Sequence, residues 1–241
     1  MQDRWKEKSG ERFILILDEI DKWFPDRRDP NNEADLLEFV KLFRLLRALA
    51  QERGMLTILV AAYRPDVNRQ NLLQTATGEN PMYMSFQEKF IGFLGEKDTR
   101  QMICEIGAWK ESVWSDEALG MVYRACGGHP MLTRFLASEA CAQGTKKQVD
   151  RQDLQRVYDK VCDNFRRHRI GVYFEESVWA MLRNDERDSL LWAVSEPDGP
   201  PPAAWEDALV NLEHFGLIQA EGGALRVNGD LFRNWLRKRS E

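Results

Sequence analysis

The apolar positions of this chain change character near Gly95. Phe13-Ile14-Leu15-Ile16-Leu17 is a continuous apolar run that ends abruptly in Asp18-Glu19. Such a run suits a strand buried on both faces of a parallel sheet. Leu56 to Ala62 reads the same way and ends in Tyr63-Arg64-Pro65. Between them Leu36, Leu37, Val40, Phe43, Leu46 and Leu49 recur at helical spacing, predicting a helix from Glu33 to Arg53 that Gly54 stops. Ile20 to Phe24 reads as a short helical turn, broken by Pro25 and the polar loop that follows. Residues 66 to 84 read as a loop with a short helical piece, and Glu88 to Leu94 as a third, partly alternating strand. Strand, helix, strand, loop, strand is an α/β pattern.

Beyond Gly95 the spacing predicts helices over Glu96 to Trp109, Ser115 to Cys126 and Pro130 to Gln143. Ser115-Asp116-Glu117 supplies an acidic cap, and Pro130 suits the first helical position after Gly127-Gly128-His129. After a polar turn at 144–147, Asp150 to Arg167 and Phe174 to Arg183 read as helical. From Asn184 a compact unit is expected. Helices over Asp185 to Ser195 and Ala203 to Phe215 precede Gly216. A hairpin of Leu217 to Ala220 and Ala224 to Val227 and a last helix over Leu231 to Lys238 follow. Two helices and a two-stranded wing make a winged helix. The expected fold class is therefore α/β plus all-α. The expected divisions are 1–95 (α/β), 96–149 (helical), 150–183 (connecting helices) and 184–241 (winged helix).

The totals narrow the function classes. At 241 residues the chain has room for two small domains, and 43% hydrophobic with 30% charged residues fits a globular protein. No apolar run approaches the ~20 residues that cross a bilayer. The charged N-terminus lacks a signal-peptide core, so a cytoplasmic location is expected. The four cysteines form no C-x-x-C pair and read as reduced thiols. The three histidines are widely separated, which argues against a zinc site. A net charge of -5 argues against a nucleic-acid glove.

The candidate chemistry lies at the ends of the two apolar runs. Ligands of parallel α/β sheets bind beyond the carboxyl ends of the strands. Asp18 and Glu19 there suit a Mg²⁺-nucleotide site, with Asp18 on the metal or its water shell and Glu19 orienting and deprotonating a water. The alternative is a strand leading into a helix whose acidic first turn complements the dipole. No Gly-x-x-x-x-Gly-Lys-Ser/Thr loop occurs in the sequence. The first strand begins about a dozen residues from Met1, whereas a βαβ unit takes ~30. The expectation is either the back part of a longer protein or a form that has lost the loop.

Four places together carry a family resemblance: Phe13 to Asp21, Leu56 to Arg64, Gly127-Gly128-His129-Pro130 and the C-terminal unit. In this order they resemble the STAND ATPases, AAA+-like signal-transduction ATPases, the prokaryotic and archaeal members above all. The resemblance implies a partial P-loop sheet with Walker B and sensor 1 strands, a helical lid at 96–149 and a winged helix. It implies that Asp18 coordinates Mg²⁺, Glu19 is the catalytic base and Arg64 reads the γ-phosphate. Pro130 would contact adenine with His129 beside it, and Asp21 would steady the acidic turn.

The implied cofactors are ATP or ADP with Mg²⁺. Without the phosphate loop, the chain alone is expected to bind nucleotide poorly and to be inactive. It would need its own missing N-terminal segment or partner subunits, in a homo-oligomer for example. The family's immune members sense ADP through the histidine of a Met-His-Asp motif. The matching place here is Asn228-Gly229-Asp230, with Gly229 where that histidine would be.

Two other readings stay open. One is a DNA-binding, replication-initiator-like ATPase fragment, against which Ala203 to Phe215 carries Glu206, Asp207 and Glu213 but no Lys or Arg. The other is a non-catalytic interaction module. Each residue also has an ordinary structural reading: Arg64 as a solvated loop charge, Gly127-Gly128 as a helix C-cap, His129 as a local hydrogen-bonder.

Overall fold

The computed structural model describes residues 13–20, 33–52, 56–64, 66–69, 79–143, 148–195, 199–221 and 224–240. Asp21, the Arg27-Arg28 pair, Gly54, Pro65 and the Leu36 side chain lie outside the described residues. Two units emerge, Met1–Lys89 and Phe90–Glu241.

In the first unit, β1 (Phe13–Leu17) and β2 (Leu56–Val60) pair in parallel, from Phe13 opposite Leu56 to Leu17 opposite Val60. Between them α1 (Glu33–Arg47) runs on as a π-helical turn, Ala48–Glu52. A short α2 (Asp66–Arg69) follows β2. Phe39, Val40, Phe43 and Leu46 recur every one to four residues along α1 and form its buried face with Ile20 and Met82. Leu15, Leu17, Leu56, Ile58 and Val60 pack against that cluster from one face of the strands. Leu37 faces outward, so the buried stripe is narrower than the periodicity suggested.

Two expectations fail here. The strands are not buried on both faces: Ile14, Ile16 and Leu59 are 70%, 64% and 58% exposed, because among the described residues helix cover lies on one side only. Residues 88–94 form no strand. Their bonds are made one by one instead of in a ladder. The Asn68 amide donates to the Phe86 carbonyl (3.1 Å) and Glu88 Oε1 (2.9 Å), and Asn68 Oδ1 accepts from Phe86 N. Further on, Phe90 stacks on His214 at 4.1 Å, Phe93 packs on His129 at 4.7 Å, and Leu94 N donates to the Gly128 carbonyl at 2.9 Å. The alternation of apolar residues reflects ring placement, not a pleat.

The second unit is helical. It holds α3 (Glu96–Ala108), α4 (Asp116–Cys126), α5 (Pro130–Gln143) and α6 (Arg151–Asp163), with a two-residue parallel bridge of β3 (Val113–Trp114) and β4 (Gln148–Val149). Local signals explain the boundaries. Ser115 Oγ accepts from Ala118 N, and Asp150 and Asp153 form a reciprocal capping box. The segment predicted as one helix over 174–183 is instead a π-helical turn (Phe174–Val178) and a 3₁₀ turn (Trp179–Met181), preceded by α7 (Arg169–Tyr173). Then come α8 (Asn184–Val194), α9 (Glu206–His214), the antiparallel pair β5 (Ile218–Glu221) and β6 (Ala224–Val227), and α10 (Asp230–Ser240). One apolar core runs through the unit, with Leu136, Leu154, Ile170, Leu190, Leu212 and Leu231 fully buried.

Gly171, inside α7, faces the Phe165 carbonyl so closely that a Cβ there would lie 1.9 Å from the oxygen. Helix propensity alone favours alanine over glycine by about 1 kcal/mol. The contact reverses the sign. Gly171→Ala should lower stability in urea denaturation by about 2–3 kcal/mol, since backbone must move to admit a methyl. A stabilised variant would contradict this packing.

Candidate functional site

The end of β1 is an abrupt change from branched apolar side chains to carboxylates, and backbone bonds hold it beside the end of β2. Ala61 N donates to the Leu17 carbonyl at 2.8 Å and Ile20 N to the Ala61 carbonyl at 3.1 Å. These bonds extend the parallel register past both strands. Asp18 and Glu19 therefore lie at the same carboxyl end as Arg64, four residues beyond Val60. Both carboxylates are exposed and Arg64 is half-buried.

The turn that presents them is strained. Glu19 has φ 52, a left-handed conformation uncommon for a residue with a side chain. Asp18 Oδ1 accepts from Glu19 N at 2.9 Å across this turn. Ile20, immediately after, is 2% exposed and anchors the turn in the α1 core. Burial of that one side chain offsets a backbone cost of about 1–3 kcal/mol.

Among the described residues no group of three or more His, Cys, Asp or Glu side chains is arranged to hold a metal ion. A single exposed carboxylate at a strand end does fit Mg²⁺, which binds through one or two carboxylates together with phosphate oxygens and water. Asp18 has that form.

His129 and Pro130 belong to the second unit. Gly127 and Gly128 end α4 with φ 59 and 77, and Pro130 opens α5. The His129 ring is engaged on several sides. Its Nδ1 accepts from Leu132 N at 3.4 Å, capping α5, which leaves the proton of the neutral ring on Nε2, 2.9 Å from the Tyr173 hydroxyl. Phe93 packs on it as well. Pro130 is exposed.

The Asn228-Gly229-Asp230 segment meets the same corner. The Asn228 amide donates to the carbonyls of Gly127 (3.1 Å) and Gly216 (3.0 Å). Gly229 has φ 78, and a Cβ there would lie 3.0 Å from Gly127 N and from the Cys126 carbonyl carbon. A histidine at this position would be crowded by backbone and strained by the left-handed φ. Sequence reasoning singled out Asn228 only by its neighbourhood. Phe93 and Tyr173 carried no signal, because their roles depend on contacts distant in sequence.

The fold has counterparts among solved structures. A Walker-type ATPase of Pyrococcus abyssi superposes with TM-score 0.54 at 14% identity, over 96% of this chain and 64% of that one. RuvB of Thermotoga maritima matches with TM-score 0.46 at 14% identity, over 94% and 71% of the two chains. The DNA clamp loader delta protein of Bacillus subtilis matches with TM-score 0.30 at 11% identity, over 95% and 65%. The Pyrococcus overlay shows a shared fold alone, and the other two are too loose to add to it. This chain spans 64% of the Pyrococcus ATPase. No protein-family model matches the chain, and no curated protein matches its sequence. Among the described residues no helix is long and apolar enough to cross a membrane.

Burial pushes the His129 imidazolium down from 6.5 to about 4. Above pH 6.5 the ring is neutral folded or unfolded and stability does not depend on it. Between 6.5 and 4 the unfolded chain takes up a proton that the folded ring refuses, so acid removes stability, on the order of 3 kcal/mol below pH 4. His129→Gln should remove this component. Its melting temperature should fall less than the wild type's between pH 6.5 and 4 in calorimetric scans, and parallel curves would contradict the assignment.

Proposed function

We propose that the chain is the nucleotide-switch part of a STAND-like ATPase whose phosphate-binding loop comes from an upstream segment or a partner subunit. The observation that carries this reading is the parallel end of β1 and β2, where Asp18, Glu19 and Arg64 share one edge of a P-loop ATPase fold. Glu19 accepts the proton of the attacking water. Arg64 offers a permanent charge with a forked donor set to the terminal phosphate. Asp18 holds Mg²⁺, which when bound neutralises charge on the phosphates. Pro130, exposed at the start of α5, gives adenine an apolar face.

Helices α3 to α6 are the lid in this scheme, and α8, α9, the β5–β6 hairpin and α10 are the winged helix. ATP or ADP with Mg²⁺ is the ligand, and exchange or hydrolysis shifts the state of assembly. The exposed apolar face of Ile14, Ile16 and Leu59 supports a missing partner layer, since parallel strands are ordinarily covered on both faces. Duplex DNA is a poor candidate for α9, whose charged groups are Glu206, Asp207 and Glu213 beside His214.

Two outcomes test the reading. In the full-length gene product, with any separate loop-bearing partner added, Glu19→Gln should lower ATP turnover by about 100-fold or more. ATP affinity should hold to within about threefold. Unchanged turnover would sink the assignment. This chain by itself should self-associate through the uncovered strand face, and Ile16→Lys should reduce that. Equilibrium sedimentation as a monomer at high concentration would count against the missing layer.

A further inference from the structure

The Gly127–Pro130 corner has one side open at Pro130 and the other gripped by the C-terminal segment. The grip is a pair of hydrogen bonds from one side chain. Both N–H groups of the Asn228 amide are used, one on the Gly127 carbonyl and one on the Gly216 carbonyl. Asn228 N is committed as well, donating to the Leu217 carbonyl at 2.9 Å. The amide lies flat on Gly127: a Cβ there would be 2.5 Å from Asn228 Oδ1 and 2.7 Å from Cγ. A second element spans the same two places. The Phe93 ring lies 4.7 Å from the His129 ring, and a Cβ at Gly216 would meet it at 3.2 Å. Gly216 is the reversal between α9 and β5, with φ 72. A shift of the corner by an ångström therefore breaks bonds at the root of the hairpin.

We propose that Asn228 is a positioning residue that transmits occupancy at Pro130 to the β5–β6 hairpin, taking over through its amide the coupling that a sensor histidine makes by touching nucleotide. This rests on the proposed nucleotide site. A purine ring seated on Pro130 holds the corner in one position. The two carbonyls it presents then keep the amide, and with it Gly216 and Leu217, in register. Next to it, Gly229 packs closely on Cys126 and Gly127 in a left-handed conformation, which disfavours a side chain at 229 reaching the ligand directly.

The test is amide hydrogen exchange with and without ADP and Mg²⁺, on the full-length gene product with any loop-bearing partner present. In the wild type ADP should slow exchange in 216–219 and 226–231 by about tenfold, a coupling of ordinary allosteric size. Asn228→Ala should bind ADP within about threefold of wild type yet lose that ADP-dependent protection. Asn228→Asp, equal in volume but unable to donate to two carbonyls, should do the same and carries the test if the alanine variant does not fold. Tyr173→Phe, which leaves the amide intact, should keep the protection.

Three outcomes overturn the proposal, and they can be told apart. Faster exchange in Asn228→Ala that ADP still slows tenfold would make Asn228 a structural tie only. ADP binding to the wild type with no protection of the hairpin would end the coupling but leave the nucleotide site standing. No ADP binding to the wild type would remove both.

Discussion

Close backbone contact at Gly127, Gly128 and Gly229 is the constraint on which the second unit depends. A Cβ at Gly128 would lie 2.0 Å from the Leu94 carbonyl oxygen, and one at Gly229 would lie 3.0 Å from Gly127 N. Three stretches of chain thus meet with no side chain between them: the approach to α3, the α4–α5 turn and the entry to α10. Left-handed backbone at two successive glycines ends one helix and lets the next begin three residues later. That reversal brings Leu132 and Leu136 of α5 into the core that also holds Val122 of α4 and Val157 of α6. The approach is close enough for a single amide, that of Asn228, to reach the carbonyl of Gly127 in the α4–α5 turn as well as that of Gly216 between α9 and β5.

The sequence was most legible where the signal is local. Ser115 and Asp150 marked helix starts because an N-cap side chain bonds a backbone group two or three residues away. Gly127 marked a helix end because only glycine takes left-handed φ without strain. The acidic end of β1 was legible for a similar reason, as an apolar run meeting two carboxylates. Residues 88–94 misled because their rings stack on histidines far away in sequence, which imitates alternation without a pleat. The π-helical turn after Tyr173 had no signature at all. Nor did the β3–β4 bridge, which rests on two residues a side.

The first unit shows what pattern alone leaves open about strands. An apolar run does not say how many layers cover it. Leu15 and Leu17 point into the α1 cluster while Ile14 and Ile16, one residue away, point out. Each such side chain is worth about 1.5–3 kcal/mol if covered. Among the described residues the parallel pair has helix on one face only and forgoes that stabilisation. The exposed face is therefore the part of the described fold in which a further layer would gain most.

The same turn bears on the simplest alternative for the acidic pair. Carboxylates at a strand end can be there only to complement a helix dipole, for which they need only lie near the start of a helix, most simply in its first turn. Glu19 has φ 52, outside right-handed helical geometry. Dipole complementarity needs a charge near a helix start but does not call for a left-handed backbone there. Asparagine or glycine would hold the turn at lower cost, since both tolerate left-handed φ better. The fold thus spends conformational strain to present a carboxylate at the carboxyl end of a parallel strand, beside the end of its neighbour. Strain retained at a polar, exposed position supports the role proposed for Glu19.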